Sequence, residues 1–535
     1  MSLFIFFSIG SVLGGCASDV PAEQNSSRVR AYSVPEGVKS YSGAQISAGG
    51  SVLPAYEVMV NTSQNWVGDG YQRKANGVCL FELDGEAEIT VKPEVKVDYK
   101  SVVRPLSAKI TPIANLQENT LTFTVKSAGE YVLEINGDIH NAIHFFVSSY
   151  GGAVTDYSGY DNVMVFEAGL HTFENDDRIS PKDNRISIGS NTLVYLADGA
   201  VVRGCFHESN LSNVAIVGRG IIDGSAFERS VSRGKVTVPI EFNYSTNVLL
   251  KDFFILDPAG WAITNYFCEG SKISNLKIIS SRSNGDGVSL QSCKNVEVEG
   301  CFVRTWDDSL VVKNYPRWEN RNIHGETNGI SFKNCTLWTD LAQSMEVGYE
   351  TVGIPMENIS FENITVLHAL HNAAISIHNA NNAAIKNVAF KNITVEDGKN
   401  AADGVGLIDL RVLYSSNWSD QHTAPTALGS VDGVLIENLN VISARRITAL
   451  MGGCRDTRVG FESEHYVDNV TIKNVALAGA RPQESECKFS TTDAKYLRNF
   501  SFVQEDVAVT GAEFVFTQSE EYLSALDGCK VEIIN

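Results

Sequence analysis

The stretch Asn284–Lys313, NGDGVSLQSCKNVEVEGCFVRTWDDSLVVK, decides how the chain is read. It holds short apolar runs, VSL, VEV, CFV and SLVV, each closed off by Gly, Asn, Asp or Ser. Such runs suit strands and are too short for helices, and the 3.6-residue helical period is almost absent. Two of them are preceded by acids: Asp286 stands before VSL, and the adjacent pair Asp307 and Asp308 stands before SLVV, 21 residues later.

Outward from this stretch the same texture repeats. Segments such as NVAIVGRGIIDG, NVLLKDFFILDP, NLKIISSRSNGDG, NVEVEGCFVRTWDD, GISFKNCTLWTD, NISFENITVLHA, NVAFKNITVEDG, GVLIENLNVISA and NVTIKNVALAGA share the unit N/G-h-x-h-x-x-h-x-h, with h apolar. The second residue of the unit falls at 214, 248, 276, 296, 330, 359, 388, 434 and 470. No unit can bury its apolar face alone, so the units must stack. Three short strands per turn of about 20–30 residues describe a right-handed parallel β-helix, here expected over 149–515. Asn recurring at one corner fits a ladder of side-chain amides along the stack. A propeller's regular period and a horseshoe's leucine consensus are both missing.

Ahead of the helix, 41–148 reads YEVMVN, GVCLFEL, AEITVKP, LTFTVKSAGEYVLEIN and AIHFFVSS, alternating with period two between turns. An all-β architecture follows, with a small antiparallel β-sandwich preceding the helix. LTFTVKSAGEYVLEIN is expected to form a hairpin turning at Ser127-Ala128-Gly129. Residues 17–40 are small and polar and suit a tether, and 516–535 form a C-terminal tail. Residues 1–16 begin with an apolar run, Leu3 to Leu13, too short to span a bilayer. It ends in Leu13-Gly14-Gly15-Cys16, which resembles a bacterial lipobox. That resemblance implies a signal peptide, lipidation at Cys16, and a lipoprotein of the cell envelope facing the periplasm or the outside.

The ten cysteines show no CxxC pair, which argues against a zinc site. Those inside the repeats, Cys293, Cys301 and Cys335, are expected to be buried thiols. A formal net charge of −20 disfavours nucleic acid and anionic membrane surfaces as partners. The expected membrane contact is the N-terminal lipid anchor alone, and the expected state is a monomer.

A second strand follows each unit: GVSLQS, SLVVKN, SMEVGY, AISIHN and GLIDLR. If these align, Asp286 and Asp307/Asp308 lie at one edge of adjacent coils, about 4.8 Å apart. Carboxylates that close repel, which raises a pKa and keeps an acid protonated beside a base. Glycoside hydrolysis uses that pairing; a calcium site or solvated turn acids would be the structural alternatives. Glu346, Tyr349 and Glu350 lie one coil further, His378 the next, and Arg411 follows. Trp306, Tyr315, Trp318 and Trp338 are candidate sugar platforms. Arg282, Lys313, Arg317 and His378 are candidate anion contacts.

The N-x-D-G of Asn284–Gly287, followed by Asp307-Asp308 before a short strand, resembles glycoside hydrolase family 28, the polygalacturonases. It is similar also to family 49, the dextranases and isopullulanases, whose N-terminal sandwich is similarly placed. The resemblance covers about 160–500. It implies an inverting hydrolase of an α-linked polysaccharide, with Asp307 as general acid and Asp286 and Asp308 activating water. No metal and no other cofactor is implied. Two family 28 motifs are replaced: Gln343-Ser344-Met345 stands where G-H-G is expected, and Ser376-Ile377-His378 where R-I-K is expected. Losing that basic pair removes the fork that would grip a galacturonate carboxylate. The rival readings are a polysaccharide lyase or epimerase, and a non-catalytic carbohydrate-binding β-helix.

Overall fold

The computed structural model describes residues 28–63, 72–151, 158–229, 237–315, 325–353, 355–398, 406–415, 419, 426–491, 493–506 and 509–513. The signal and Cys16, the tail, Arg317 and Trp318 lie outside them.

From Asn162 onward the chain winds into a parallel β-helix. Strands pair in parallel from coil to coil: Val214 sits against Val248, Val296 against Ile330, Ile330 against Ile359, Ile359 against Val388, then Val434 and Val470. One repeat moves. The segment at Asn275 is not the start of a coil; Ile273 pairs with Leu250 and Val298, placing Ser271 in the column expected for Leu276. The reason is that each coil kinks twice through a left-handed residue, and Asn serves both kinks. Asn213, Asn247, Asn295, Asn358, Asn387 and Asn469 hold one corner at positive φ, while Asn275, Asn334, Asn363, Asn392, Asn438 and Asn474 hold the next. Asn tolerates that conformation at little cost. The second corner is a ladder: Asn363 donates to Asn334 at 3.2 Å, Asn392 to Asn363 at 3.0 Å and Asn438 to Asn392 at 2.8 Å.

The third face is a parallel sheet that includes Ile263–Tyr266, Val288–Gln291, Leu310–Asn314, Met345–Thr351, Ile375–Asn379 and Ile408–Val412. Its register is the one expected: Val288 pairs with Leu310, Leu310 with Met345, Met345 with Ile375 and Ile375 with Ile408. These residues point into the core, where Phe332, Phe361 and Phe390 stack with centroids 4.7 and 4.9 Å apart. The ring spacing matches the inter-strand distance, so three successive coils each contribute one ring to a stack that Val298 and Ile436 continue on either side. The eight described cysteines are free, and all but Cys454 are buried.

The N-terminal part is a sandwich of two sheets around Ile46, Leu53, Phe81, Ile89, Val91, Leu121, Phe123, Leu133 and Phe145. Three expectations change. The Ser127-Ala128-Gly129 turn does not make a hairpin: Thr120–Val125 pairs with Ala87–Pro93 in one sheet, Gly129–Glu134 with Ala142–Ser149 in the other. Thr120–Val125 alternates buried and half-buried residues, whereas Tyr131–Glu134 is buried throughout, and the turn arches across the core because each strand needs a face to bury against. The sandwich also has one parallel pair, Arg73–Asp84 with Ala142–Ser149. Finally, Arg28–Ala31 pairs with Phe81–Asp84, so the sheet begins inside the segment read as a tether.

The sandwich is fused to the helix. Tyr56, Val58, Val60, Val132 and Phe146 share an apolar cluster with Ile221, Phe254, Leu256, Ile279, Phe302 and Trp338. Arg104 of the sandwich bridges to Glu396 of the helix at 2.8 Å and to Glu134 at 2.6 Å, all buried.

Candidate active site

Extending the strand register toward the N-terminal edge aligns Trp261, Asp286, Asp308 and Gln343 in one row. Backbone bonds carry it: Ala262 N–H donates to Asp286 C=O at 2.8 Å, Gly287 to Asp308 at 2.9 Å and Ser309 to Gln343 at 2.9 Å. The two acid turns are therefore neighbours in space. Gly287 is required between them, since a Cβ there would sit 2.5 Å from the Ser309 carbonyl oxygen. Behind the turn, the hydroxyls of Thr305, Ser309, Thr339 and Ser344 form a chain with steps of 2.8, 2.9 and 2.8 Å. Thr305 also donates to the Asp307 carbonyl at 2.6 Å. Runs of Ser and Thr under a turn satisfy one another and fix the backbone above.

All three aspartates are buried. Burial is the first cause that raises each carboxyl; neighbouring aspartates add to it for Asp307 and Asp308, and Glu350 adds to it for Asp286. Asp307 is pushed up to about 8, with Asp286 as the next contributor after burial. Lys313 counters: its Nζ lies 3.6 Å from Asp286 and 3.2 Å from Glu350. Burial alone would lower Lys313, but Glu350 and the aspartates around it hold it well above the ordinary lysine value. Asp308 accepts the Gln343 N–H at 3.1 Å. Asp286 Oδ2 is buried with no hydrogen bond among the described residues.

Opposite Lys313 the next strand bulges, with Gly348, Tyr349 and Glu350 facing that single residue. Gly348 has φ +138, and a Cβ there would press 2.7 Å from Glu346 Oε1. Glu346 meets His378 Nδ1 at 2.9 Å, and His378 Nε2 meets Asp409 at 3.2 Å. Asp409 takes Arg411 bidentately at 2.6 and 2.7 Å, and Tyr349 stacks on the imidazole at 4.2 Å. Burial would lower His378, but the two carboxylates outweigh it and push it up to about 9, so both ring nitrogens donate.

The site thus gathers Asp286, Asp307, Asp308, Lys313, Glu346, Tyr349, Glu350, His378 and Arg411 along the edge and outer face of one sheet. Other candidates lie elsewhere. Trp306 is fully buried and donates to the Ser63 carbonyl at 2.8 Å, so it packs against the sandwich and offers no face to a sugar. Trp338 is equally buried, under the Arg304 guanidinium at 3.7 Å. Arg282 is committed to Asp257 at 3.2 Å and to the Phe227 carbonyl. Tyr315 is buried. Sequence reasoning missed Asp409 and Trp261. Asp409 was legible, two residues before Arg411 and in register with Glu346 through Ser376. Trp261 carries no motif; its row position is its signal, and it is the one described tryptophan that keeps some exposure. Among the described residues no group of three His, Cys, Asp or Glu is arranged to hold a metal ion.

Residues 180–335 match the family model of Glycosyl hydrolases family 28. That segment contains Asp286, Asp307 and Asp308, and it agrees with the resemblance carried by N-x-D-G and the acid pair. A probable polygalacturonase of Vitis vinifera is 24% identical over 285 residues, 51% of this chain and 55% of that protein. The chain therefore spans about half the length of this curated relative. Among solved structures, Dex49A from Penicillium minioluteum is 15% identical with a TM-score of 0.49, covering 88% of this chain and 95% of that one. A hyperthermoactive exopolygalacturonase from Thermotoga maritima is 15% identical with a TM-score of 0.43, covering 66% and 85%.

Proposed function

We propose that the protein is an inverting glycoside hydrolase that cleaves a neutral, α-linked polysaccharide with Asp286, Asp307 and Asp308. The observation that carries this reading is Asp307, a buried carboxyl pushed up to about 8 beside Asp286, which is itself paired with Lys313. Asp307 remains protonated at neutral pH and protonates the leaving oxygen. Lys313 favours the ionised form of Asp286, whose Oδ2 faces the ammonium at 3.6 Å and keeps capacity to accept from a water, and Asp308 completes that water's cradle.

Neutrality of the sugar follows from charge pairing. Lys313 is matched by Asp286 and Glu350, His378 by Glu346 and Asp409, and Arg411 by Asp409. A uronate would meet cations already engaged and carboxylates in excess. Thr264 Oγ1 and Gln291 Oε1 are buried on the same outward face without a hydrogen bond among the described residues. Such groups need partners, and sugar hydroxyls supply them. The lyase alternative needs a neutral basic group to take a proton, whereas surrounding acids hold Lys313 protonated.

The test is release of reducing ends from dextran, pullulan, polygalacturonan, rhamnogalacturonan and sulfated galactans, by wild type and Asp307→Asn, while absorbance at about 235 nm reports unsaturated products. New ends from a neutral glycan without that absorbance, lost in the variant, support the reading; absorbance rising with the ends overturns it. The proposed envelope location is tested by fatty-acid labelling that disappears in Cys16→Ala.

A further inference from the structure

The turn that carries Asp286 is held from outside the β-helix. Asn61, at the end of the sandwich strand Tyr56–Asn61, is fully buried and donates through Nδ2 to the Ser281 carbonyl at 3.0 Å. Its Oδ1 accepts the Ser63 N–H at 2.9 Å, and the Ser63 carbonyl accepts the Trp306 indole N–H at 2.8 Å. One short sandwich segment therefore grips both acid turns: Ser281 precedes Asp286, and Trp306 immediately precedes Asp307. A second grip lies beneath. Asp257 takes the Ser281 hydroxyl at 2.8 Å, Arg282 at 3.2 Å and the sandwich residue Arg73 at 3.0 Å. Between Ser281 and Asp286 the turn is compact, since a Cβ on Gly285 would lie 2.5 Å from the Arg282 carbonyl oxygen. The same turn presents the Asn284 backbone N–H to the Asp307 carboxyl.

We infer that the sandwich is part of the catalytic apparatus, with Asn61, the Ser63 carbonyl and Arg73 as positioning groups that set Asp286 against Asp307. The inference rests on the reading of these aspartates as catalytic and goes further, because the shift in Asp307 depends on how tightly its turn is closed. A buried polar clamp of this kind transmits small displacements, and sub-ångström misplacement of a catalytic group is costly. Loosening it admits water to the turn and relaxes Asp307 toward an ordinary carboxyl.

The experiment compares Asn61→Ala and Trp306→Phe with Arg104→Met, which weakens sandwich docking at the Arg104–Glu134–Glu396 cluster. Trp306→Phe removes the indole N–H together with part of the ring, keeps an aromatic side chain in place, and leaves the variant set usable if Asn61→Ala does not fold. Asn61→Ala and Trp306→Phe are expected to lower kcat about tenfold with KM changed less than about twofold. Their alkaline pH–rate limb should move acidward by about half a unit or more. Arg104→Met should lower Tm and leave that limb in place. If the clamp variants lose Tm but keep kcat and the limb, or if Arg104→Met moves the limb equally, the inference is wrong. The protonated Asp307 carboxyl also gives an infrared C=O band, identified by its loss in Asp307→Asn. Its midpoint reads the same shift without turnover, so failure of the hydrolase reading and failure of the clamp are separable.

Discussion

Lys313 Nζ lies 3.6 Å from Asp286 and 3.2 Å from Glu350, so one ammonium ties the acid turn to the bulge of the next strand. It can do so because the bulge sets three residues, Gly348 to Glu350, opposite this single lysine. Lys313→Met removes the cation and leaves two buried carboxylates facing each other. It is expected to raise the Asp286 pKa and reduce kcat about 100-fold, with the acid limb of the pH–rate profile moved upward. An unchanged acid limb would detach Lys313 from the base.

Asp307 gives a stability signature that needs no substrate. Its folded-state carboxyl is raised to about 8 from 3.8, so the protonated form favours folding. That contribution is complete below about 4 and is lost as pH rises through about 8. Asp307→Asn should therefore match wild-type Tm near pH 4 and exceed it by a few degrees near pH 8. A difference independent of pH would contradict the assignment.

His378 titrates in a different window. Its imidazole is raised from 6.5 to about 9 between Glu346 and Asp409, so its contribution is full below 6.5 and fades as pH rises through about 9. Calorimetry of His378→Asn should show a deficit of about 2–4 kcal/mol at pH 6 that narrows by pH 9.5. A constant deficit would mean that the ring acts by packing alone.

Trp261 stands in the row that continues through Asp286 and Asp308, and the residue is half-buried. It is the expected platform for an apolar sugar face. Trp261→Ala should raise KM about tenfold with kcat within about threefold, and Trp261→Phe should recover most of the loss. Equal KM for all three proteins would rule the platform out.

The stack of Phe332, Phe361 and Phe390 packs the core of three successive coils. Phe361 stacks on Phe332 and Phe390 and is fully buried. Phe361→Ala should destabilise the protein by about 3–5 kcal/mol in denaturant titration, while any active fraction keeps its pH profile.

The sequence by itself determined the β-helix, the sandwich before it, and the meeting of Asp286 with Asp307 and Asp308. Period-two alternation, repeated left-handed Asn corners and strands of matched length leave one way to stack, and a parallel register then fixes which residues are neighbours. Asn at two different corners hid the coil that starts at Ser271, because both kinks demand the same residue type. Only the tertiary structure decided which side chains face the cleft. Trp306 and Trp338 read as platforms yet are sealed under the sandwich, and Arg282 is drawn to Asp257, a partner 25 residues away. It also decided that Asn61 reaches the Ser281 carbonyl and that Arg73 reaches Asp257 beneath the same turn. Contacts between the sandwich and the β-helix depend on how two packed surfaces meet, and no local periodicity encodes that.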